Sequence, residues 1–246
     1  MLVVMFLGAP MQTDYGKLAL KIQQIVDAFK AINVFLENNP DFLDNLKKFL
    51  DNWPSAFKED WVKVARYGWY LNWETPIDIV SVVNNGQEAL DAYMLSHLRD
   101  DWNGLTSRIV ELCPERFTVL KAAFKLHEEN NYIASIPLFL AQSDGICAQY
   151  LGAFLFAERD KRIEKVKEIS EINSDIFLAS LLDILTVKTQ NVASIDKSSL
   201  DKKSLGPNRN GILHGSLKHI DYGNEINSYK SFSLLCFVVF CLVDKS

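Results

Sequence analysis

The sequence predicts an all-α protein built as a helical bundle. Two observations carry this expectation. Apolar residues recur at intervals of three and four along most of the chain, and glycine and proline are scarce, 11 and 7 among 246 residues. A third observation bounds it: hydrophobic residues make up 48% and charged residues 23%, an ordinary globular balance with enough apolar material for a core. The length suits one large domain or two small ones.

Met1–Leu7 is apolar with no basic residue before it. It is marginal as a signal-peptide core and too short to span a bilayer. The first strong helix is expected from about Tyr15 to Glu37, where Leu18, Ile22, Ile25, Phe29, Ile32 and Leu36 form one stripe, ended by Asn38-Asn39-Pro40. Asp41 is placed to cap a second helix with Phe42, Leu46, Phe49 and Leu50 on its inner side. Trp53-Pro54 opens a third, with Phe57, Trp61, Val64 and Ala65 facing inward. The aromatic run Tyr67–Trp73 has two readings, a base-stacking surface or a plug between helices. Thr75-Pro76 starts a short helix through Val83, and Asn84-Asn85-Gly86 is a turn.

Ala89, Leu90, Tyr93, Met94 and Leu98 mark the next helix, with His97 as a surface or capping residue near its end. Arg99–Leu112 is expected to continue it. Cys113-Pro114 breaks the pattern and suggests a boundary between an N-terminal helical region, residues 1–112, and a second domain, residues 113–246. Phe117–Leu126 and Tyr132–Tyr150 then form a helical hairpin around the polar turn Glu128–Asn131. Asp144 interrupts the apolar side of its second arm. It reads either as an exposed or capping carboxylate or as an acid that faces a cleft. The mixed-charge segment 157–173 predicts a solvated helix or connection, and Ile176–Leu185 a helix deep in the core or at a dimer seam. Gln190–Gly206, rich in Ser, Lys and Asp, is expected to be a mobile loop. Asn224–Val243 closes the chain as a helix apolar nearly all round. Its apolar core, Phe232–Val243, is shorter than the ~20 residues of a membrane span.

Charge excludes one class. The net charge is −5, from 26 basic and 31 acidic residues, whereas a protein coating nucleic acid over its whole surface is basic. A nucleic-acid contact would therefore be local. Asp196–Lys218 carries five basic and two acidic side chains, a local +3, which also fits a solvated linker. Cys113, Cys147, Cys236 and Cys241 form no C-x-x-C pair and read as buried thiols of a cytoplasmic protein rather than metal ligands or disulfides. The sequence holds no internal repeat, glycine-rich phosphate loop, H-E-x-x-H or G-x-S-x-G.

The chemistry-bearing stretch is Asn208-Arg209-Asn210-Gly211-Ile212-Leu213-His214-Gly215. Arg209 is a permanent cation whose donor fork suits phosphate. His214 can move a proton near neutral pH. On a helix the two lie five residues and about 140° apart, whereas Asn210 and His214 share a face. Pro207 suits a first helical turn, and Gly215 can end it.

Arg209-Asn210-x-x-x-His214 resembles the R-polar-x-x-x-H motif of the HEPN superfamily, the helical nucleotide-binding or ribonuclease domains of prokaryotic defence and toxin systems. The resemblance covers roughly residues 114–246 and includes Asp221-Tyr222-Gly223 and the final apolar helix. It implies a HEPN-like helical domain and metal-independent RNA cleavage by 2′-OH attack, with Arg209, His214 and Asn210 catalytic, Asp144, Lys218 and Tyr222 touching substrate, and no cofactor. It implies an effector of toxin or abortive-infection type, paired with itself through the C-terminal helices and controlled by an antitoxin or sensor protein, with no membrane role. The competing expectation is a non-catalytic module of the same shape that binds RNA, a nucleotide or a protein.

Overall fold

The computed structural model describes residues 30, 34–41, 44, 58–76, 78–172, 176–187, 189–195 and 205–244. The chain divides into two compact units, residues 1–52 and 53–246. In the first, residues 34–38 are helical and the helix stops before Pro40. Asn38 and Asn39 turn their amides back onto the carbonyls of Val34 and Phe35, at 2.9 and 2.8 Å. Met1–Leu7, most of the helix expected from Tyr15 and the apolar side expected through Phe49 lie outside the described residues.

The second unit is helical, with no strand among the described residues. Its elements are α1 (residues 58–66), α2 (Ile79–Val83), α3 (Gln87–Asp100), α4 (Trp102–Leu112), α5 (Phe117–Glu128), α6 (Tyr132–Leu151), α7 (Arg159–Ile172), α8 (Ile176–Leu182), α9 (Arg209–Leu213) and α10 (Glu225–Val238). A π-helical turn, Val239–Val243, extends α10. The long run expected from Ala89 to Leu112 is two helices, because Asp101 leaves helical geometry at φ −105°, ψ 14°. Cys113 ends α4 and caps a 3-10 turn, Pro114–Arg116. Trp102 before it stacks on His127 after it, ring centroids 4.4 Å apart, so both sides of that turn build one core.

The α5–α6 hairpin forms as its pattern predicts, turning through Asn130 at φ +60°. The core centres on α10, where Phe232 to Cys236 and Phe237 to Phe240 are fully buried. α6 packs along it, and α3, α4 and α8 also meet it or its π-helical extension. Glu225–Val243 is long and apolar enough to cross a bilayer, and 94% of its apolar window lies inside the fold. The apolar surface of this last helix is thus covered by its own chain. The aromatic run Tyr67–Trp73 is likewise a plug, not a stacking surface. Trp69 and Tyr70 are buried, and Tyr70 lies 6.0 Å from the Phe237 ring.

Burying α10 also buries its polar residues, and each finds a partner. Asn224 caps the helix by accepting from the Asn227 N–H at 2.9 Å. Ser231 and Ser233 bond carbonyls at Asn227 and Lys230. The Ser228 hydroxyl lies 2.8 Å from His127 Nδ1 and 2.9 Å from the Ser135 hydroxyl. Lys230 is wholly buried; its ammonium lies 3.2 Å from Asp91 and 5.4 Å from the Trp69 ring centre. The Trp69 indole N–H donates to the same carboxylate at 2.6 Å. Burial lowers the Lys230 pKa, and Asp91 works against that shift.

Removing one partner of such a pair leaves a buried charge uncompensated, at a cost of about 3–5 kcal/mol. Asp91→Ala is therefore expected to lower the urea midpoint by that equivalent, and a loss below about 1 kcal/mol would contradict the pairing. Burial also lowers the His127 pKa to about 4, partly opposed by Glu225 and Glu128, from an ordinary value near 6.5. The fold favours the neutral ring. Its contribution is complete above about pH 6.5 and is lost as pH falls towards 4. Denaturation midpoints should fall across that window, and His127→Gln should flatten the fall.

Candidate functional site

The motif stretch folds into α9, only five residues long. A helix this short is unstable alone, and three devices hold it. Asn208, 1% exposed, caps it by accepting from the Gly211 N–H at 2.6 Å. The same side chain donates to the carbonyls of Gln190 and Ala193, both at 2.9 Å. At the other end, Ser216 N–H bonds the Gly211 carbonyl at 2.8 Å and Gly215 N–H the Ile212 carbonyl at 3.1 Å, with Gly215 at φ +64°. That is a Schellman close, in which the left-handed position suits glycine. Between the ends, Gly211 lies against the buried His219 ring, which a Cβ at 211 would overlap. Pro207 precedes the cap rather than opening the helix, since Asn208 is the half-in residue.

Arg209 is half-buried. Its Nη2 lies 3.9 Å from Asp144 Oδ2, with side chains 28% and 15% exposed. Its guanidinium sits 5.4 Å from the Phe156 ring centre, and Nη1 donates to Asn210 Oδ1 at 3.2 Å. An ion pair this long and partly exposed adds no more than about 1 kcal/mol, so it positions the arginine more than it stabilises the fold. Asp144 is itself fixed, accepting from the Phe156 N–H at 3.1 Å. Asp144 is therefore largely withdrawn from solvent, its side chain 15% exposed and turned toward Arg209.

Asn210 meets His214 only through the backbone, where the His214 N–H donates to the Asn210 carbonyl at 3.1 Å; its side chain turns elsewhere. Its amide donates to the Ala193 carbonyl at 3.1 Å, so it ties α9 to the 3-10 turn Gln190–Val192. His214 is the C-cap residue of α9. Its imidazole is exposed and makes no side-chain hydrogen bond among the described residues. The same fold that draws Arg209 inward at the start of the helix therefore leaves His214 in solvent at its end.

The remaining expected residues spread around this helix. Lys218 is exposed in the 3-10 turn Leu217–His219. The Tyr222 hydroxyl donates to the Ile133 carbonyl at 2.9 Å, which ties it to α6. Tyr222 also lines a small cleft of about 190 Å³ with Asn208, His219 and Asp221. Leu213, Leu217 and Ile220 beside His214 are exposed, the latter two by 83% and 71%.

The expected mobile loop from Gln190 is ordered at its start. Thr189, Gln190 and Asn191 are buried because Tyr70 takes Thr189 at 2.9 Å and Asn191 at 3.2 Å; residues 196–204 lie outside the described residues. Sequence reading passed over Asn208, although an asparagine directly before a helix is the usual capping signature. It also passed over Arg162, which mixed charge made look solvated but which is 3% exposed.

Asn208→Ala removes the cap and two further hydrogen bonds, to the Gln190 carbonyl and to the Ala193 carbonyl, which keeps the Asn210 amide. A loss of about 2 kcal/mol or more is expected in urea denaturation, and an unchanged midpoint would contradict the role given to Asn208. No protein-family model, curated protein or solved structure matches the chain.

Proposed function

We propose that this chain is a metal-independent endoribonuclease of the HEPN type, an effector of a toxin or abortive-infection system. One observation supports it most. The fold brings Asp144 of α6 to Arg209 of α9 and leaves His214, on the same short helix, open to solvent. That gives a phosphate-seeking cation held in place by a carboxylate and, at the other end of the same short helix, a base that substrate can reach.

In this reading the ribose 2′-oxygen attacks the adjacent phosphorus, the 5′-oxygen leaves, and a 2′,3′-cyclic phosphate remains. His214 takes the 2′-OH proton, a step worth about 10²–10⁴ in rate when the base is well placed. Arg209 meets the charge that builds on the phosphorane oxygens. Asn210 holds Arg209 through its Oδ1. Lys218 and Tyr222 flank the strand. The leaving oxygen needs an acid, which a second copy would supply from its own His214. The exposed Leu213, Leu217 and Ile220 beside that residue are the apolar surface such a pair would bury. An antitoxin or sensor protein could compete for that face.

A second reading has its own support. Arg209 already faces Asp144, Asn210 and the Phe156 ring, and His214 lies about 140° around the helix from it. A non-catalytic module would bind RNA, a nucleotide or a protein on the same face.

Purified protein incubated with total RNA in EDTA separates the two. The ribonuclease yields cyclic-phosphate ends, and His214→Ala and Arg209→Ala each lower the rate by about a hundredfold or more while the protein stays folded. Cleavage that requires added Mg²⁺, or that survives both substitutions, would defeat the proposal.

A further inference from the structure

A cavity of about 560 Å³ opens beside the motif helix, walled by α1, the start of α7 and the buried turn at Gln190. Three arginines line it, Arg66, Arg159 and Arg162, and no carboxylate does among the described lining residues. Arg162 is 3% exposed. Its Nε donates to the Leu185 carbonyl at 2.7 Å, and its Nη1 to the carbonyls of Leu155 and Phe154 at 2.5 and 3.2 Å. Nη2 has no partner among the described residues. Among the described residues no carboxylate forms an ion pair with this buried guanidinium, an arrangement that is costly until a counter-charge arrives.

A second, independent observation points the same way. Gln190 also lines the cavity and is 6% exposed, yet among the described residues its Nε2 has no hydrogen-bond partner. Buried amides in native folds are nearly always bonded, so an orphan beside a cavity calls for a ligand acceptor. The rest of the lining is mostly apolar, with Leu155, Phe156, Val187 and Leu205, and adds the hydroxyl residues Thr189 and Ser194. Arg66 and Arg159 are exposed at the rim; among the described residues Arg159 pairs with the neighbouring Asp160, at 3.6 Å.

We infer that this cavity binds a free nucleoside phosphate, its phosphates on Arg162, Arg66 and Arg159, its apolar body against Phe156 and Leu155, and a polar edge on the Gln190 amide. Guanidinium forks match phosphate oxygens, and a few hundred cubic ångströms is the usual size for one such ligand. The cavity meets the motif site through Phe156, against which Arg209 packs, through Ala193, which takes the Asn210 amide, and through Gln190, whose carbonyl takes the Asn208 amide. The inference does not depend on RNA cleavage, since neither Arg209 nor His214 lines the cavity.

The test uses the full chain carrying His214→Ala, so that no cleavage interferes. Titration calorimetry with ADP, GDP, CDP and UDP should give saturable binding of at least one. Inorganic pyrophosphate and the matching nucleoside should each bind at least about tenfold more weakly. Arg66→Gln and Arg159→Gln, both at exposed positions, should each weaken binding severalfold, and Gln190→Leu should change the preference among the four. No saturable binding of any diphosphate up to ~1 mM, pyrophosphate binding as tight as the best nucleotide, or binding untouched by both arginine variants would each overturn the inference. So would tighter binding of an RNA trinucleotide than of any mononucleotide, because the pocket would then serve a strand.

Discussion

The constraint that organises the second unit is a lysine in the middle of its most apolar helix. α10 is buried on all sides, so every polar atom on it must be answered from within the protein. Lys230 makes the strongest demand. Its ammonium draws Asp91 from α3 and the Trp69 ring from the segment after α1. Its aliphatic stem packs where a Cβ on Gly68 would stand, and Gly68 in turn lies under the Leu205 carbonyl. Four stretches far apart in sequence are thereby held in one register. An apolar residue at 230 would pack as well but would specify less, since dispersion has no direction.

The motif helix depends on that register at one remove. α9 is too short to persist unaided, so its position is set by the turn at Gln190, to which Asn208 and Asn210 both bond. That turn is held by Tyr70, one residue beyond the Trp69 that meets Lys230. The placement of Arg209 therefore traces back through hydrogen bonds to the buried core. His214, one turn further on, is not tied in the same way. The difference in burial between the two residues comes from which end of α9 is anchored.

The arginine cavity and the motif share the same support. Leu205 and Ala193 border the cavity, and they stand next to the chain that carries α9. A phosphate held by Arg162 would press on elements that also position Arg209. Two anion-seeking groups thus lie on neighbouring walls, separated by the Phe156 ring.

Much of the fold was legible from the sequence alone. Spacing of three and four placed the α5–α6 hairpin, α3 and α10, because an amphipathic stripe needs no knowledge of its partner. Turn chemistry placed the breaks at Asn84-Asn85-Gly86 and Cys113-Pro114, because backbone preference is local. The motif residues were visible as residue types, and Gly215 as a helix stop. What spacing could not supply was pairing across distance. Whether Asp144 met solvent or Arg209, and whether Tyr67–Trp73 faced outward, depended on which helices packed together. Arg162 looked solvated in its charged surroundings, and only the fold turned it inward onto three carbonyls. Periodicity reports how a segment presents its own side chains; tertiary packing alone decides what those side chains meet, because the contacting groups lie tens of residues apart and their energies exist only once the core has closed.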